Sequence, residues 1–418
     1  MALNPPNVDR SLRIAIINER WTAGATRCAR DLQRELSLRH VVRYFPEGEE
    51  RTVADHLRGL AEFRPDVVHL HSFYGDLPYD FIAEVARLYP TVFTPHDPRP
   101  IGDIQLPCWN CAQYGSCFQC PLVGKLKRYS LVKHDYFRRR QAKRRVHGRL
   151  PSRTTIVCVS DWMKERALQT ELARFPIQRI YNGVQVDRYR RDLGARSSLG
   201  LPADAKVVTF LAHHGGWTMD ERKGGQVLAR ALAEVVIPRF PELIVLAVGG
   251  GMIPNLPNVR PVGFVAPDQV ARYYSAADVF AAPSLADNLP YTVLEAMASE
   301  VPVVASRVGG IPEQVLDGET GRLFRPGSWQ ELGAALVSLL EAPDQAAAMG
   351  RAGRQRVVEQ FAMEPFVQGY EDLYHSLVES NVSAAEPAWQ PLRPARPSGG
   401  QSTVLRPATS APFGPFPD

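Results

Sequence analysis

The chain has 418 residues, of which 45% are hydrophobic and 22% charged, and its formal net charge at pH 7 is +5. A chain of this length can bury two substantial cores, so two domains are expected. No apolar run of about 18 residues is present to span a bilayer and the polar N-terminus lacks the apolar region of a secretory signal, so we expect a cytoplasmic protein.

Short apolar runs alternate with longer amphipathic stretches through the first half of the chain. The runs have the length of buried strands and cover residues 13–17, 66–71, 91–94, 155–159 and 178–181. Gly24 follows the first run, and residues 27–38 have the apolar spacing of a helix. Such alternation of strands and helices is typical of a doubly wound parallel sheet.

Histidines lie at the ends of two of these predicted strands. His69 and His71 close the second strand, and His96 follows the third. Because ligands of doubly wound sheets bind at the carboxyl ends of the strands, His71 and His96 are candidate site residues. His69 is expected to be a core histidine with satisfied hydrogen bonds.

Four cysteines form two C-x2-C pairs that are separated by five residues, at Cys108, Cys111, Cys117 and Cys120. Thiolates at this spacing can close a tetrahedral structural zinc site, which is the first interpretation. An iron–sulfur cluster and reduced cysteines without a ligand are the alternatives. Cys28 and Cys158 are expected to be isolated buried thiols.

Residues 125–153 contain twelve Lys or Arg residues and a single acid, Asp135. Such a run either forms a solvated helical face or is attracted to an anionic surface, such as a membrane. We expect no nucleic-acid partner.

A second series of predicted strands covers residues 206–212, 243–248, 278–282 and 302–305, with helical segments between them. The first domain is therefore predicted over residues 1–192, with a Cys-rich loop at 106–122, and the second over 193–362. Residues 363–382 are predicted to form a further helix. The tail, 383–418, is rich in Pro, Ser and Gly and is expected to be disordered.

The most informative segment is in the second half, where Asp287 and Glu295 stand eight positions apart. Residues 278–313 contain, in this order, a predicted strand, Pro-Ser, the first acid, Glu-Ala-Met-Ala, Pro-Val-Val and Gly-Gly-x-Pro-Glu. Lys223 precedes two glycines and a predicted helix over 227–231. This ordered set resembles the nucleotide-sugar signature of the retaining glycosyltransferases of family 4, also called group 1. Cys-rich insertions occur in exopolysaccharide- and lipopolysaccharide-type members.

The resemblance implies a GT-B fold, in which two Rossmann-like domains face a cleft. The C-terminal domain would hold a nucleoside-diphosphate sugar, the N-terminal domain would hold the acceptor, and the last helix would cross back to the N-terminal domain. The implied reaction transfers a hexosyl group to an acceptor hydroxyl with retention and needs no catalytic cofactor; zinc would be structural only.

The resemblance also implies roles on the donor side. Glu295, at the start of a helix over 294–298, would accept both ribose hydroxyls, and Lys223 would contact the diphosphate. Asp287 would face the donor sugar, with Asn288 and Leu289 offering N–H groups beside it.

Further donor contacts are expected from Val293 and Leu294. Since the family often has an Arg after the first strand of this domain and this chain does not, Arg222 or His214 would replace it. On the acceptor side, His96 would contact the reacting sugar, with Gly24 and His71 beside it.

The chain departs from the family pattern at three positions: Ala23 and Glu300 stand where Gly is usual, and Asp287 where Glu is usual. Two other classes therefore stay open, a nucleotide-sugar epimerase or phosphorylase of the same fold, and a non-catalytic subunit of a polysaccharide assembly complex. For the transferase, a glycan or lipid-linked acceptor in cell-surface polysaccharide synthesis is expected, with peripheral contact to the inner face of the membrane.

Overall fold

The computed structural model describes residues 10–18, 23–46, 52–71, 77–98, 144–212, 221–250 and 256–383. The predicted four-cysteine loop, the Pro-rich tail, His214 and most of the basic stretch lie outside these described residues.

The first half of the chain forms a six-stranded parallel sheet with the order β2-β1-β3-β4-β5-β6. The strands are β1 (Arg13–Asn18), β2 (Val41–Phe45), β3 (Val67–His71), β4 (Thr91–Thr94), β5 (Thr154–Cys158) and β6 (Ile177–Arg179). β3 and β5 are buried at every position, as expected for apolar runs covered on both faces of a parallel sheet.

Helices cover both faces of this sheet. They are α1 (Ala23–Leu36), α2 (Val53–Phe63), α3 (Asp80–Leu88) and α4 (Asp161–Leu168); residues 144–149 are helical as well. One face packs on α2, α3 and α4. α2 begins at a capping box in which Thr52 and Asp55 satisfy each other's backbone N–H groups.

The second half forms another six-stranded parallel sheet, with the order β12-β11-β10-β7-β8-β9. Its strands are β7 (Val207–Leu211), β8 (Ile244–Val248), β9 (Val259–Gly263), β10 (Val279–Ala282), β11 (Val303–Ser306) and β12 (Gly321–Phe324). Separate apolar clusters fill its two faces.

The helices of the second half are short near the site and long at the periphery. They are α5 (Ala195–Ser198), α6 (Gly225–Ala231), α7 (Ile237–Arg239), α8 (Ala271–Ser275), α9 (Tyr291–Ala298), α10 (Ile311–Gln314), α11 (Trp329–Glu341), α12 (Pro343–Gln360) and α13 (Met363–Ser383). A π-helical turn, Leu232–Val236, joins α6 to α7.

The last helix, α13, packs against the first sheet rather than the second. Its Phe366, Tyr370 and Tyr374 belong to one apolar cluster with β1 and with α1 residues. The Tyr374 hydroxyl lies 2.6 Å from Nδ1 of His69, whose Nε2 lies 2.8 Å from the Thr94 hydroxyl. His69 is thus a core histidine with both ring nitrogens bonded, as predicted.

The predicted alternation is confirmed, and three strands had not been predicted. β2, β9 and β12 each include an arginine that is exposed or half-exposed, so none forms a continuous apolar run. Within the described part of the chain, no helix is both long enough and apolar enough to cross a membrane.

Candidate active site

Side chains from the ends of the two sheets meet in direct contacts. The Asn288 amide, after β10, donates to the His96 carbonyl at 3.0 Å, and its oxygen accepts from the Ser160 hydroxyl at 2.5 Å. Both partners follow strands of the first sheet. The acid-containing segment of the second half therefore closes onto the carboxyl ends of β4 and β5, where ligands of such sheets bind.

Lys223 and Asp287, both predicted to lie on the donor side, form an ion pair with 2.7 Å between Nζ and Oδ2. Their side chains are 31% and 15% exposed, so a ligand in the cleft can reach both. Gly224 follows the lysine with φ +70°, and a Cβ there would lie 1.9 Å from the Pro283 carbonyl oxygen. Only glycine permits this approach, which brings Lys223 to the acid-containing segment.

Asp287 is held from the other side by a second glycine. Gly309 has φ +58°, and a Cβ there would lie 1.7 Å from the Asp287 carbonyl oxygen. The N–H of Gly310 donates to the Asn288 carbonyl at 2.7 Å. The Gly-Gly-x-Pro-Glu motif thus fixes the backbone that presents Asp287 and Asn288.

The same motif ends in Glu313, which reaches across to the first half. Its carboxylate oxygens each accept from the backbone of α4, from Asp161 N and Trp162 N, at 2.8 Å. An anion at the first turn of a helix is favoured by the unpaired N–H groups there. Burial raises the pKa of the Glu313 carboxyl, and these bonds oppose that shift.

Glu295 lies in a buried cluster of hydrogen-bond donors. The hydroxyls of Tyr189 and Tyr274 donate to Oε1 and Oε2 at 2.8 and 2.6 Å, and Arg27 of α1 forms an ion pair with Oε1. The Glu295 side chain is 4% exposed. Burial lowers the pKa of Arg27, but the charge of Glu295, its hydrogen bond with Arg27 and the neighbouring Tyr189 and Tyr291 together outweigh burial, and the net shift is upward.

This environment differs from the predicted one in two respects. α9 begins at Tyr291, so Glu295 lies in the second turn rather than at the start of a helix. A carboxylate offers roughly four lone-pair positions, and the donors from Arg27, Tyr189 and Tyr274 occupy three of them. Both ribose hydroxyls therefore cannot bind to Glu295 while all three donors stay in place.

His71 and His96, both predicted to lie on the acceptor side, are neighbours, with 2.9 Å between Nδ1 of His71 and Nε2 of His96. Their rings are stacked, with centroids 5.2 Å apart. Burial lowers the pKa of His71 well below the usual value and that of His96 to about 4, so both imidazoles are neutral near pH 7.

Cys28 is a free, buried thiol as predicted, and its sulfur lies close to the two imidazoles. One donor atom each from Cys28, His71 and His96 lie within 4.8 Å of one another. The Cys28 thiol also donates to Asn182 Oδ1 at 3.5 Å. Burial raises its pKa to about 12. Cys158 is a free, buried thiol as predicted.

The remaining predicted residues differ in what they present to the cleft. Gly24 is exposed, and a Cβ there would meet nothing within 4 Å. The side chains of Leu289, Val293 and Leu294 are buried in the core, so they can contact a ligand only through their backbone. Arg222 is half-buried, and its carbonyl accepts from Leu285 N at 2.6 Å.

Three residues of the site were missed in the sequence: Arg27, Tyr189 and Tyr274. Arg27 lies on the predicted first helix, but one Arg among many carries no distinguishing signal. The tyrosines bury their rings in the core and expose only a hydroxyl to Glu295. A buried acid requires donors, but the sequence does not show which residues supply them.

Comparison with known proteins agrees with this architecture. A profile described as Glycosyltransferase Family 4 matches residues 22–188, and one described as Glycosyl transferases group 1 matches residues 206–342. Sucrose-phosphate synthase from Thermosynechococcus elongatus superposes with a TM-score of 0.68 at 19% identity, over 89% of this chain and 100% of that one. Anabaena HepE in complex with UDP-glucose gives 0.64 at 19% identity, over 90% and 100%.

Curated relatives share more sequence over a shorter region. D-inositol 3-phosphate glycosyltransferase 2 of Catenulispora acidiphila is 34% identical over 195 residues, 42% of this chain and 44% of the relative. The GDP-mannose-dependent alpha-(1-6)-phosphatidylinositol monomannoside mannosyltransferase of Mycolicibacterium smegmatis is 35% identical over 200 residues, 43% and 50% of the two chains. The aligned regions span about half the length of these relatives.

The two profiles follow one another along the chain and together cover most of it, one on each of the two sheets. The structural neighbours that share both halves carry the GT-B fold. The chain therefore belongs to the glycosyltransferases of family 4, the group 1 glycosyl transferases.

Proposed function

We propose that this chain transfers a sugar from a nucleoside-diphosphate sugar to an acceptor hydroxyl, with retention of the anomeric configuration. One observation carries the proposal: the Lys223–Asp287 pair, at 2.7 Å, is followed directly by Asn288, whose amide bonds the His96 carbonyl at 3.0 Å. Consecutive contacts thus connect Lys223, a cation for a leaving group, and Asp287, an acid for a sugar, to His96 of the other half.

Lys223 would stabilise the leaving diphosphate. Without a ligand its ammonium neutralises Asp287. A diphosphate carries more negative charge than one carboxylate, so it would compete for Lys223 and leave the Asp287 oxygens to accept sugar hydroxyls. Negative charge then grows on the diphosphate as the glycosidic bond breaks, and a preorganised cation stabilises that charge in the transition state.

Glu295 would bind the ribose with help from its two tyrosines. Tyr189 and Tyr274 hold its carboxylate in one orientation. With Arg27 bonded to Oε1 as well, one lone-pair position is left for a ribose hydroxyl. The second hydroxyl would bind when Arg27 moves from Oε1. The N–H groups of Tyr291 and Thr292 begin α9 and have no acceptor within that helix, so they are suited to a diphosphate oxygen.

The acceptor would bind at the ends of β1, β3 and β4, beside Gly24, His71 and His96. The printed names of the two curated relatives specify an inositol phosphate and a phosphatidylinositol mannoside. Both are hydroxyl-rich compounds that carry a phosphate, which supports a glycan or lipid-linked acceptor in cell-surface glycan synthesis.

Peripheral docking on an anionic membrane at the cytoplasmic face is the accompanying proposal. At the described end of the basic stretch, Arg144 pairs with Glu171, and Arg149 lies 3.9 Å from Asp80. These acids offset part of the positive charge, so the attraction would depend on residues 125–143. Co-sedimentation with vesicles that contain an anionic lipid tests this docking, and equal binding to neutral vesicles would contradict it.

The activity itself is tested with a panel of UDP-, GDP- and ADP-sugars and of polyol, glycan and lipid-linked acceptors. We expect a product whose anomeric proton has the same configuration as in the donor, by NMR, and none with Lys223→Met. Lys206→Met is the matched control, since Lys206 is a half-buried lysine of the same half whose ammonium donates to the Leu340 carbonyl at 2.7 Å. An inverted product would contradict retention, and a free nucleotide with an epimerised sugar in acceptor-free reactions would indicate an epimerase.

A further inference from the structure

The group of Cys28, His71 and His96 is not explained by sugar transfer. Of these, only His96 is partly exposed toward the cleft; Cys28 and His71 are buried. A buried thiol adds nothing to the recognition of sugar hydroxyls that a small apolar residue or serine would not. A thiol beside two imidazoles is instead a typical set of ligands for a transition metal.

A second observation is that one ring nitrogen of His71 makes no hydrogen bond to the described residues. Its Nδ1 contacts His96, whereas its Nε2 is buried and has no hydrogen-bond partner among the described residues. Buried polar atoms in native proteins are nearly always bonded, so this imidazole nitrogen is available to a ligand that enters the site. Rotation of the ring can exchange the two nitrogens and offer either one.

The distances suit a small ion. A tetrahedral Zn²⁺ with Zn–N bonds of about 2.0–2.1 Å and a Zn–S bond of about 2.3 Å places its ligand atoms about 3.3–3.6 Å apart. The three donor atoms lie within 4.8 Å of one another, and the closest histidine nitrogens are 2.9 Å apart. Shifts of about 1 Å or less per side chain would make the set tetrahedral. The imidazole that carries the proton between the two rings would shift that proton to its other nitrogen, so both histidines would bind as neutral ligands.

We propose that Cys28, His71 and His96 form a Zn²⁺-binding site on the acceptor side of the cleft. Binding exchanges the Cys28 thiol proton for the metal, and that proton passes to the solvent. Three protein ligands leave the fourth position open, and the partly exposed His96 gives solvent access to the site. A water or an acceptor hydroxyl would occupy it.

Occupancy would also change the role of His96. A histidine that ligates zinc cannot at the same time bond a reacting sugar through the same nitrogen. Zinc is therefore expected to compete with the acceptor, so that the concentration of free metal controls access to the site. This consequence rests on the proposed transfer reaction, whereas the metal site itself does not.

The test is a zinc count on the full-length protein, by equilibrium dialysis and elemental analysis. The wild type should bind one equivalent more than Cys28→Val, and His71→Gln should lose the same equivalent. Cys158→Val is the matched control, because Cys158 is an equally buried thiol of β5. It should keep the wild-type count, whatever the four-cysteine loop binds.

Circular dichroism establishes that each variant is folded, and Cys28→Ser offers a smaller change if Cys28→Val does not fold. Co²⁺ substitution provides an independent readout, since a Cys28 thiolate on cobalt adds a near-ultraviolet charge-transfer band that Cys28→Ser should lack. Equal zinc counts and equal cobalt spectra in the wild type and the Cys28 variants would overturn the proposal, even if the transferase activity is found.

Discussion

The ion pair between Arg27 and Glu295 links the two halves of the chain, and its strength can be measured. Arg27 belongs to α1 of the first half and Glu295 to α9 of the second. Their side chains are 30% and 4% exposed. Breaking a buried pair by removing one partner costs about 3–5 kcal/mol because a buried charge is left uncompensated.

The expected cost for Arg27→Met is below that range. Glu295 keeps its bonds from Tyr189 and Tyr274, and Arg27 is partly solvated. Since a hydrogen bond to a charged group contributes about 1.5–3 kcal/mol, we expect the unfolding free energy to fall by about 2–3 kcal/mol. Glu295→Gln should cost a similar amount, and the double variant little more than either single one.

A double-mutant cycle by urea unfolding gives the coupling energy directly, with an expected value of about 2 kcal/mol. The control cycle uses Arg239 and Glu341, a pair of the second half with 2.6 Å between charged atoms and side chains 65% and 42% exposed. Exposed pairs of this kind contribute less than about 1 kcal/mol. If the Arg27–Glu295 coupling is no larger than that of the control, the account of this cluster is refuted.

Three further predictions concern the glycine motif, the contact between the halves, and acid stability. Gly309→Ala should destabilise the chain by at least about 2 kcal/mol in urea unfolding, because its Cβ would lie 1.7 Å from the Asp287 carbonyl oxygen. Gly318→Ala is the control. Gly318 has φ +84° and a Cβ there would meet no atom closer than 3.9 Å, so this variant should show the backbone strain alone. Asn288→Ala should enlarge the radius of gyration in small-angle scattering, because it removes the two bonds that the Asn288 side chain makes to the other half. The control Asn258→Ala loses bonds to the Pro241 and Leu243 carbonyls within one half and should leave the radius unchanged. An unchanged radius in both variants would contradict closure by Asn288. Burial lowers the pKa of His40. As the pH falls below about 6.5, the unfolded chain therefore takes up a proton before the folded chain does, and the unfolding free energy falls until the pH reaches the lowered folded pKa. His40→Gln should make the unfolding free energy depend less on pH in this range, and an unaltered profile would show that His40 does not contribute.

The fold could be predicted in large part because its strands are buried on both faces. Runs such as 14–17 and 243–248 are apolar throughout, and a parallel sheet covered by helices requires that composition. β9 could not be predicted in this way, since its Arg260 and Pro261 are exposed at an edge of the sheet. Edge strands need fewer apolar residues, so their pattern is weak.

The candidate site was partly predictable for a different reason. Lys223, Asp287 and the two glycines around them stand at fixed spacing within one half, so a sequence motif can carry them. Arg27 and Glu295 are 268 positions apart, and their contact depends on how the two halves pack. No local pattern contains that information.

The sequence also placed Glu295 at a helix start, because the apolar run before it was not assigned to the helix. The structure begins α9 at Tyr291, after Pro290, and proline is tolerated at the start of a helix, where no N–H bond is lost. That shift of about one helical turn moves Glu295 from an exposed first turn into the tyrosine cluster. The roles of His96, Asp287 and Lys223 in catalysis stay predictions.

The central claim, that Lys223 and its neighbours hold a nucleoside diphosphate, is tested most directly by isothermal titration with UDP, GDP and ADP. The account predicts that at least one of the three binds the wild type. It also predicts that Lys223→Met weakens that binding at least tenfold, a loss of about 1.4 kcal/mol, while Lys206→Met leaves it unchanged. Absence of binding for all three nucleotides, or equal affinity for the wild type and Lys223→Met, would contradict it.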